Sequence, residues 1–278
     1  MDRSQPIGVF DSGVGGLSVL REIRRELPNE TLYYVADSAH IPYGEKSRQF
    51  VEARSVAITA FLLSRGAKAI VVACNTATGA AIGLLRSSFT LPIIGMEPAV
   101  KPAAEKTKAG VVAVLATNRT LSSDKFADLL VRFGKDVEVL VQPCAGLVEQ
   151  VEAGELSGNK TSALLQRYIL PLLEKGADTL VMGCTHYPFL VPLIREIAGP
   201  SVAIIDPSAA VAREVRRRLQ NHELLSRDSG PGTELFWTSG ALDRVRPMIN
   251  QLWDANADLR HLPDEGTNEY SSSPSHLA

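Results

Sequence analysis

The 278-residue chain is longer than the usual single domain of roughly 100 to 200 residues, so two domains and one large domain are both open. Hydrophobic residues make up 45% and charged residues 22%, a globular balance that can bury a sizeable core without disulfides or metals. The formal net charge of −2 provides no basic excess to neutralise a phosphate backbone, which argues against a nucleic-acid partner.

The first apolar run begins at Ile7 and has the character of a strand, without the charged leader and cleavage site of a signal peptide. No apolar run approaches the roughly 18 residues that cross a bilayer. We therefore expect a cytoplasmic protein with no membrane partner, in which Cys74, Cys144 and Cys184 remain thiols.

Short β-branched runs bounded by turn residues recur along the chain and predict strands. They are Ile7 to Phe10, Leu32 to Val35, Ile70 to Ala73, Ile93 to Met96, Val111 to Leu115, Val137 to Val141, Leu180 to Met182, Ala203 to Ile205 and Leu235 to Thr238. Stretches of helical period separate most of them, such as Ser47 to Arg65, which Gly66 ends. Alternating strands and helices predict an α/β fold with mainly parallel sheets.

An internal repeat divides the chain. Ile58 to Thr76 (ITAFLLSRGAKAIVVACNT) aligns without a gap with Tyr168 to His186 (YILPLLEKGADTLVMGCTH), and the offset between Cys74 and Cys184 is 110 residues. We infer that one α/β unit is used twice, and that the two copies pack as pseudo-symmetric domains with a cleft between them.

The predicted boundaries follow this repeat. Residues 1–98 with 208–262 form the first domain, residues 99–207 form the second, and the polar residues 263–278 form a disordered tail. The last strand and helix, from Leu235 to Trp253, are expected to return to the first domain.

Two of the cysteines are candidates for chemistry. A lone cysteine is most often a buried packing residue, but Cys74 and Cys184 occupy the same place in both copies, each between a predicted strand and a predicted helix. Unpaired N–H groups at a helix start favour a thiolate, and a helix end with one polar neighbour suffices to lower a thiol pKa toward about 7, although the sequence does not give the resting protonation of either thiol. Cys144 has no counterpart at the offset of 110 residues, which indicates a structural role.

Two opposed acid/base groups can take a proton from one face of a tetrahedral carbon and return a proton to the other face. Such a pair inverts the carbon, so the two cysteines indicate racemisation or epimerisation. Asn75, Thr76 and Thr185 lie next to the thiols and are placed to stabilise the charge that develops on the substrate.

Other polar residues have two interpretations each. Asp11 and Ser12 open the glycine-rich segment that ends at Gly16 and are either a helix cap and a turn residue, or part of an anion site. His186 lacks the paired spacing of a zinc site, so we expect no metal, and it is either structural or tunes Cys184. Glu152 is, on local evidence, a solvated carboxylate at a helix end.

Five spaced motifs in order resemble the glutamate racemases of the aspartate/glutamate racemase superfamily. They are FDSGVGG near the start, Ile41-Pro42-Tyr43-Gly44, ACNTAT around Cys74, Ala116-Thr117 with Thr120, and GCTHYP around Cys184. The resemblance runs from about Ile7 to Trp253. It implies two α/β domains around a cleft, and conversion of L-glutamate to D-glutamate for peptidoglycan without pyridoxal phosphate, metal or any other cofactor.

The resemblance also implies roles for particular residues. Cys74 and Cys184 would exchange protons with opposite faces of glutamate, assisted by Asp11, Glu152 and His186, although Glu149 lies one helical turn from Glu152. Substrate contacts are implied at Asp11, Ser12, Tyr43, Gly44, Asn75, Thr76, Thr117, Thr120, Thr185 and His186. A homodimer is expected, with a mode of association that does not transfer between members.

Two other functions remain open. An aspartate or broad-specificity racemase would keep both thiols and change the pocket for the substrate side chain. A small-molecule binding protein could also use two α/β lobes around a cleft, but it would have no need for two symmetric cysteines.

Overall fold

The computed structural model describes residues 2–134 and 136–263. The strands are β1 (Ile7–Asp11), β2 (Leu32–Ala36), β3 (Ala69–Val72), β4 (Ile93–Gly95), β5 (Val111–Ala116), β6 (Glu138–Pro143), β7 (Thr179–Gly183), β8 (Ala203–Ile205), β9 (Glu234–Thr238) and β10 (Leu259–His261). The predicted tail of residues 263–278 lies outside the described residues apart from Pro263.

Eleven α-helices are present in the described residues: α1 (Leu17–Glu26), α2 (Arg48–Ser64), α3 (Asn75–Ser88), α4 (Val100–Lys106), α5 (Asn118–Leu121), α6 (Asp124–Phe133), α7 (Leu147–Glu152), α8 (Asn159–Glu174), α9 (Val191–Ala198), α10 (Ser208–Asn221) and α11 (Leu242–Leu252). Short 3₁₀ helices occupy Ser38–His40, Tyr43–Glu45 and Tyr187–Leu190. No helix among the described residues has the length and apolar character of a membrane span.

The strands form two parallel sheets. The first has the order β10-β9-β2-β1-β3-β4 and the second the order β6-β5-β7-β8. Within each sheet every pair of neighbours is parallel. The order β2-β1-β3-β4 of the first sheet therefore recurs as β6-β5-β7-β8 in the second, which confirms the α/β fold of two repeated units.

Helices cover both faces of the first sheet. Apolar residues of α1, α10 and α11, such as Leu20, Val215 and Ile249, pack on one face. Residues of α2 and α3, such as Leu62 and Ile82, pack on the other face. Strand residues therefore alternate between two cores, and this arrangement leaves the carboxyl ends of the strands open for a functional site.

Local sequence explains how α2 begins and ends. The side chain of Ser47 accepts a hydrogen bond of 3.1 Å from the backbone N–H of Phe50, which satisfies a donor of the first turn. Gly66 follows the helix with φ of +86°, a left-handed conformation that favours glycine. The predicted helix from Ser47 to Arg65 therefore agrees with the observed one within one residue at each end.

The structure differs from the sequence predictions at two points. Strand β10 was not predicted, because its three residues include the exposed Arg260 and His261 and form no apolar run. Cys184 is followed by the short 3₁₀ helix Tyr187–Leu190 and only then by α9, whereas Cys74 directly caps α3. The two cysteines therefore do not have equivalent helix starts.

Candidate active site

A small cavity lies between the two sheets at the carboxyl ends of their strands. Its lining residues come from both repeated units: Ser12, Pro42, Tyr43, Gly44, Cys74, Asn75, Thr76, Thr117, Val148, Cys184, Thr185 and His186. Cys74 and Cys184 thus share one cavity, as the repeat predicts. Both thiols are buried, with 5% and 7% of each residue exposed.

Cys74 lies at the end of β3 and is the N-cap of α3. Its Sγ accepts a hydrogen bond of 3.4 Å from the backbone N–H of Ala77 and lies 4.0 Å from Oγ of Ser12. Burial raises the pKa of this thiol well above its usual value, and the charge of Asp11 adds to the rise, while the Ala77 N–H acts in the opposite direction. Desolvation therefore outweighs the effect of the helix start at Cys74.

Cys184 has an imidazole for a neighbour. Its Sγ lies 3.6 Å from Nδ1 of His186, whose Nε2 lies 2.6 Å from Oε1 of Glu152. Burial alone would lower the pKa of His186, but hydrogen bonds with Cys184 and Glu152 outweigh it and raise this pKa well above the usual range. A charged imidazolium at this position stabilises negative charge on Cys184.

Asp11 is completely buried behind the cavity wall. Its Oδ1 accepts hydrogen bonds from the backbone N–H and, at 2.9 Å, the hydroxyl of Ser12, and its Oδ2 accepts one of 2.6 Å from Oγ1 of Thr185. Burial raises the pKa of Asp11, and the charge of His186 and the Thr185 hydroxyl partly offset that rise. Asp11 therefore fixes Ser12 on one wall of the cavity and Thr185 on the other.

The glycine-rich segment joins the two units closely. Oε1 of Glu152, which also contacts His186, accepts a hydrogen bond of 2.8 Å from the backbone N–H of Val14. A Cβ atom on Gly13 would overlap the carboxylate of Glu152, and one on Gly15 would overlap the ring of His186. Glycine is therefore required at both positions by the approach of the second unit.

Three threonine hydroxyls meet on the opposite side of the cavity. Oγ1 of Thr76 lies 2.9 Å from that of Thr117 and 3.1 Å from that of Thr120, and the last two lie 3.0 Å apart. Thr76 belongs to α3, whereas Thr117 is the N-cap of α5 and Thr120 lies within α5, so the hydroxyls also bridge the units. Hydrogen bonds join the two repeated units on both sides of the cavity, so the cleft between the units is closed.

Tyr43 and Gly44 form the wall contributed by the loop before α2. The hydroxyl of Tyr43 donates a hydrogen bond of 2.6 Å to Oδ2 of Asp37, which is fully buried and also paired with Arg54. A Cβ on Gly44 would lie 2.9 Å from Cβ of Thr117, so the absence of a side chain lets this loop reach the second unit.

The amide of Asn75 has no hydrogen-bond partner among the described residues, although both Nδ2 and Oδ1 are buried. Only 4% of Asn75 is exposed, and it lines the cavity. A buried amide without partners costs about 1 to 3 kcal/mol, and a polar ligand in the cavity would remove that cost.

The structure brings together every residue that the sequence singled out for the site. Ten of them line the cavity directly, whereas Asp11, Glu152 and Thr120 act through residues that do. The geometry separates Glu152 from Glu149, which is exposed and borders a neighbouring cavity instead.

Four residues contribute to the site although the sequence did not single them out. Val148 lines the cavity but has the apolar character of a core residue, and Pro42 appeared only as part of a motif. Asp37 and Ser18 act through distant partners: the hydroxyl of Ser18 donates to the carbonyl oxygen of Thr185 at 3.0 Å. No local sequence signal marks partners so far apart in the chain.

Comparison with known proteins identifies the family to which this chain belongs. The sequence model of the Asp/Glu/Hydantoin racemase family matches residues 7–215. The chain belongs to the Asp/Glu/hydantoin racemase family. A glutamate racemase of Methylococcus capsulatus is 57% identical over 258 residues, with 93% of this chain and 95% of that relative covered. One from Pseudomonas aeruginosa is 54% identical, with 90% and 94% covered.

Solved structures of racemases show the same fold. Glutamate racemase isoform RacE1 from Bacillus anthracis superposes with a TM-score of 0.86 at 31% identity, covering 94% of this chain and 98% of that one. Escherichia coli glutamate racemase, solved with L-glutamate and the activator UDP-MurNAc-Ala, gives a TM-score of 0.82 at 32% identity, with 93% and 98% covered. The resemblance drawn from the sequence motifs is confirmed, and the racemase family makes this chain an isomerase.

The described residues contain no group of three or more His, Cys, Asp or Glu side chains placed to hold a metal ion.

Proposed function

We propose that this racemase family member interconverts L-glutamate and D-glutamate by a two-base mechanism, with Cys74 and Cys184 on opposite faces of Cα. The observation that carries the proposal is that the two thiols line one closed cavity between the repeated units. The glutamate racemases named above, at 54% to 57% identity, support glutamate as the substrate.

The reaction needs one thiolate and one thiol. The thiolate takes the proton from Cα, the electron pair left on Cα delocalises into the substrate carboxylate, and the opposite thiol then donates its proton to Cα. Each turnover leaves the protonation states of Cys74 and Cys184 exchanged. The His186 imidazole lies beside Sγ of Cys184 and can hydrogen-bond to it, whereas burial raises the pKa of Cys74.

Recognition of the substrate depends on polar groups rather than on cationic side chains. Among the described residues that line the cavity, none is Lys or Arg. The carboxylates of glutamate would therefore accept hydrogen bonds from the amide of Asn75, the hydroxyls of Thr76, Thr117 and Thr185, and nearby backbone N–H groups. Ser12, held by Asp11, would receive the substrate amino group.

A chiral separation of the reaction products tests the proposal. L-glutamate, D-glutamate, aspartate and alanine are each incubated with the protein without any added cofactor. Glutamate should approach a racemic mixture from either enantiomer, and aspartate should react at least about 10-fold more slowly, because one methylene in a fitted pocket contributes about 1 to 3 kcal/mol. Faster conversion of aspartate would identify an aspartate racemase, and binding without conversion would identify a binding protein.

The remaining parts of the proposal concern the cellular setting. We infer that D-glutamate from this reaction supplies peptidoglycan synthesis in the cytoplasm, and that the protein functions as a homodimer without a cofactor. We further infer that residues 1–98 with 208–262, and residues 99–207, are the two domains that separate to admit substrate. Their separation would break the hydrogen bonds from Val14 to Glu152 and from Thr185 to Asp11.

A further inference from the structure

The hydroxyl group of Tyr34 begins a hydrogen-bond chain that leads to one of the two thiols. Tyr34 lies in β2 and is completely buried, with its ring centroid 6.1 Å from that of Phe236 in β9. It does not line the catalytic cavity. A buried hydroxyl costs free energy unless it is hydrogen-bonded, and this one donates to the backbone carbonyl oxygen of Gly13 at 2.6 Å.

The acceptor belongs to a peptide group that is hydrogen-bonded on both sides. The carbonyl of Gly13 and the N–H of Val14 form one planar peptide unit, in which the two groups point in opposite directions. The Val14 N–H donates to Oε1 of Glu152 at 2.8 Å. A hydroxyl that fixes the direction of the carbonyl therefore also fixes the direction in which Val14 donates.

Glu152 continues the chain to the thiol of the second unit. The same Oε1 atom lies 2.6 Å from Nε2 of His186, and Nδ1 of that ring lies 3.6 Å from Sγ of Cys184. Hydrogen bonds in such a chain polarise one another, so the loss of one weakens the next. Tyr34 in the first unit is therefore connected to Cys184 in the second through a peptide group, a carboxylate and an imidazole.

The glycine-rich segment needs a support of this kind. Glycine has more backbone freedom than any other residue, so the peptide that follows Gly13 is not held in place by a side chain of its own. A Cβ atom on Gly16 would lie 2.8 Å from the hydroxyl oxygen of Tyr34, so the absence of a side chain there leaves room for the phenol. The hydroxyl of Tyr34 supplies the constraint that the local sequence lacks.

The Tyr34 hydroxyl keeps its proton. Burial raises the pKa of Tyr34 well above its usual value, and the charges of Asp11 and Glu152 add to the rise. The phenol therefore remains a donor toward the Gly13 carbonyl at neutral pH. Phenylalanine at this position would remove the donor and keep the ring.

The repeat does not duplicate this hydroxyl. The register of the two sheets makes Val141 of β6 the counterpart of Tyr34 in β2. Valine has no hydroxyl, and Val141 is exposed rather than buried. The chain that begins at Tyr34 therefore belongs to the side of the site that holds Cys184.

We propose that Tyr34 is a positioning residue for racemisation. Through the peptide group before Val14 it holds Glu152 in place. Glu152 in turn fixes the imidazole of His186 beside Cys184. The effect on the reaction rests on the proposed racemase function, whereas the effect on His186 does not.

Tyr34→Phe tests the proposal, and Tyr33→Phe is its matched control. Tyr33 is the neighbouring residue of β2 but packs on the opposite face, where its ring centroid lies 5.1 Å from that of Trp237. In Tyr34→Phe the kcat for glutamate should fall about 3- to 10-fold, as expected for the loss of one buried hydrogen bond. The KM should change less than about 2-fold, because Tyr34 does not line the cavity. Tyr33→Phe should change neither constant more than about 2-fold, and equal kcat values in the two variants would overturn the proposal.

A double substitution separates positioning from general destabilisation. If Tyr34 acts through Glu152, Tyr34→Phe should lower kcat less than about 2-fold in the Glu152→Gln protein, because the effects of residues in one hydrogen-bond network are not additive. In the Cys144→Ser protein, Tyr34→Phe should keep its full effect of about 3- to 10-fold. Effects of the same size in both proteins would show that Tyr34 does not act through Glu152.

The ring nitrogens of His186 give a readout that needs no substrate. The chain has five histidines, so in protein labelled with nitrogen-15 histidine the NMR signals of His186 can be assigned by their loss in His186→Asn. Tyr34→Phe should shift the Nε2 signal in the same direction as Glu152→Gln does, and Tyr33→Phe should leave it in place. An unshifted signal in Tyr34→Phe would refute the role of Tyr34, whatever the activity. A shifted signal in a protein that racemises nothing would refute only the proposed function.

Discussion

The Sγ atom of Cys184 lies 3.6 Å from Nδ1 of His186. In the repeat, the residue that corresponds to His186 is Thr76, since both follow their cysteine by two positions. The Thr76 hydroxyl pairs with the hydroxyls of Thr117 and Thr120, and among the described residues no imidazole hydrogen-bonds to Cys74. A symmetric fold therefore holds two thiols with different acid/base support.

Replacement of either candidate base should abolish racemisation. Cys74→Ser and Cys184→Ser should each lower kcat by about 10²- to 10⁴-fold, because a serine hydroxyl at the same place is a far weaker acid and base. Chiral analysis of product from L-glutamate and D-glutamate measures the loss.

Cys144→Ser is the matched control for these variants. Cys144 is also buried, but its Sγ donates to the carbonyl oxygen of Gln142 at 3.3 Å, a contact that a serine hydroxyl can keep. The racemisation rate of the Cys144→Ser protein should stay within about 2-fold of that of the unmodified protein. Equal activity in all three serine variants would show that the bases are misassigned.

Because His186 lies beside Cys184, a change at His186 should affect the rate of Cα–H exchange differently for the two enantiomers of glutamate. Glu152→Gln removes the carboxylate that keeps His186 charged, and hydrogen bonds to charged groups contribute about 1.5 to 3 kcal/mol. The initial rate of Cα–H exchange in D₂O should therefore fall about 10- to 100-fold for the enantiomer whose proton Cys184 takes, and less for the other. Equal reductions for both enantiomers would contradict a role specific to Cys184.

The close approach of the units at the glycine-rich segment gives a third expectation. In Gly13→Ala the added Cβ would overlap the carboxylate of Glu152 and displace it from Val14 and His186. The kcat should fall about 10-fold or more, which corresponds to the loss of one charge-assisted hydrogen bond.

Gly83→Ala is the control for that substitution. Gly83 lies inside α3, and an added Cβ meets no atom within 4 Å. Alanine there should raise the free energy of unfolding by about 0.5 to 1 kcal/mol and leave kcat unchanged. Full activity of Gly13→Ala would mean that the position of Glu152 is unimportant for the reaction.

Asp178 should make the protein sensitive to acid. Although burial opposes it, hydrogen bonds from Thr107, Ala109 and Lys108 lower the pKa of this carboxyl from 3.8 to about 2. A depressed pKa in the folded state stabilises the protein above the unfolded value, and this contribution is lost as pH falls from 3.8 toward 2.

Urea unfolding of the unmodified protein and of Asp178→Asn at pH values across that range measures the effect. The free energy of unfolding should fall more steeply with decreasing pH in the unmodified protein than in the variant. Parallel losses in the two proteins would show that Asp178 does not contribute to acid sensitivity.

The sequence was sufficient for most of the fold, because parallel strands leave apolar runs and the repeat identifies the two units. It predicted β3 and β7, and with them the positions of Cys74 and Cys184 at strand ends. It did not predict β10, where the charged Arg260 lies on an exposed edge and no apolar pattern is required.

Predictions for the site failed where tertiary burial decides the chemistry. A helix start alone suggested a lowered pKa for Cys74, but full burial beside Asp11 raises it. The partnership of Asp37 with Tyr43 and that of Ser18 with Thr185 depend on packing between distant segments. Such contacts leave no periodicity or spacing in the chain from which they can be inferred.

The isotopic composition of both enantiomers at early times in D₂O tests the two-base mechanism most directly. Thiol protons exchange with solvent, so if one cysteine removes the Cα proton and the other donates, newly formed product should carry deuterium while the remaining substrate stays protonated. This should hold from L-glutamate and from D-glutamate. Product that retains the original proton, or equal labelling of substrate and product from the first turnovers, would contradict two opposed thiols.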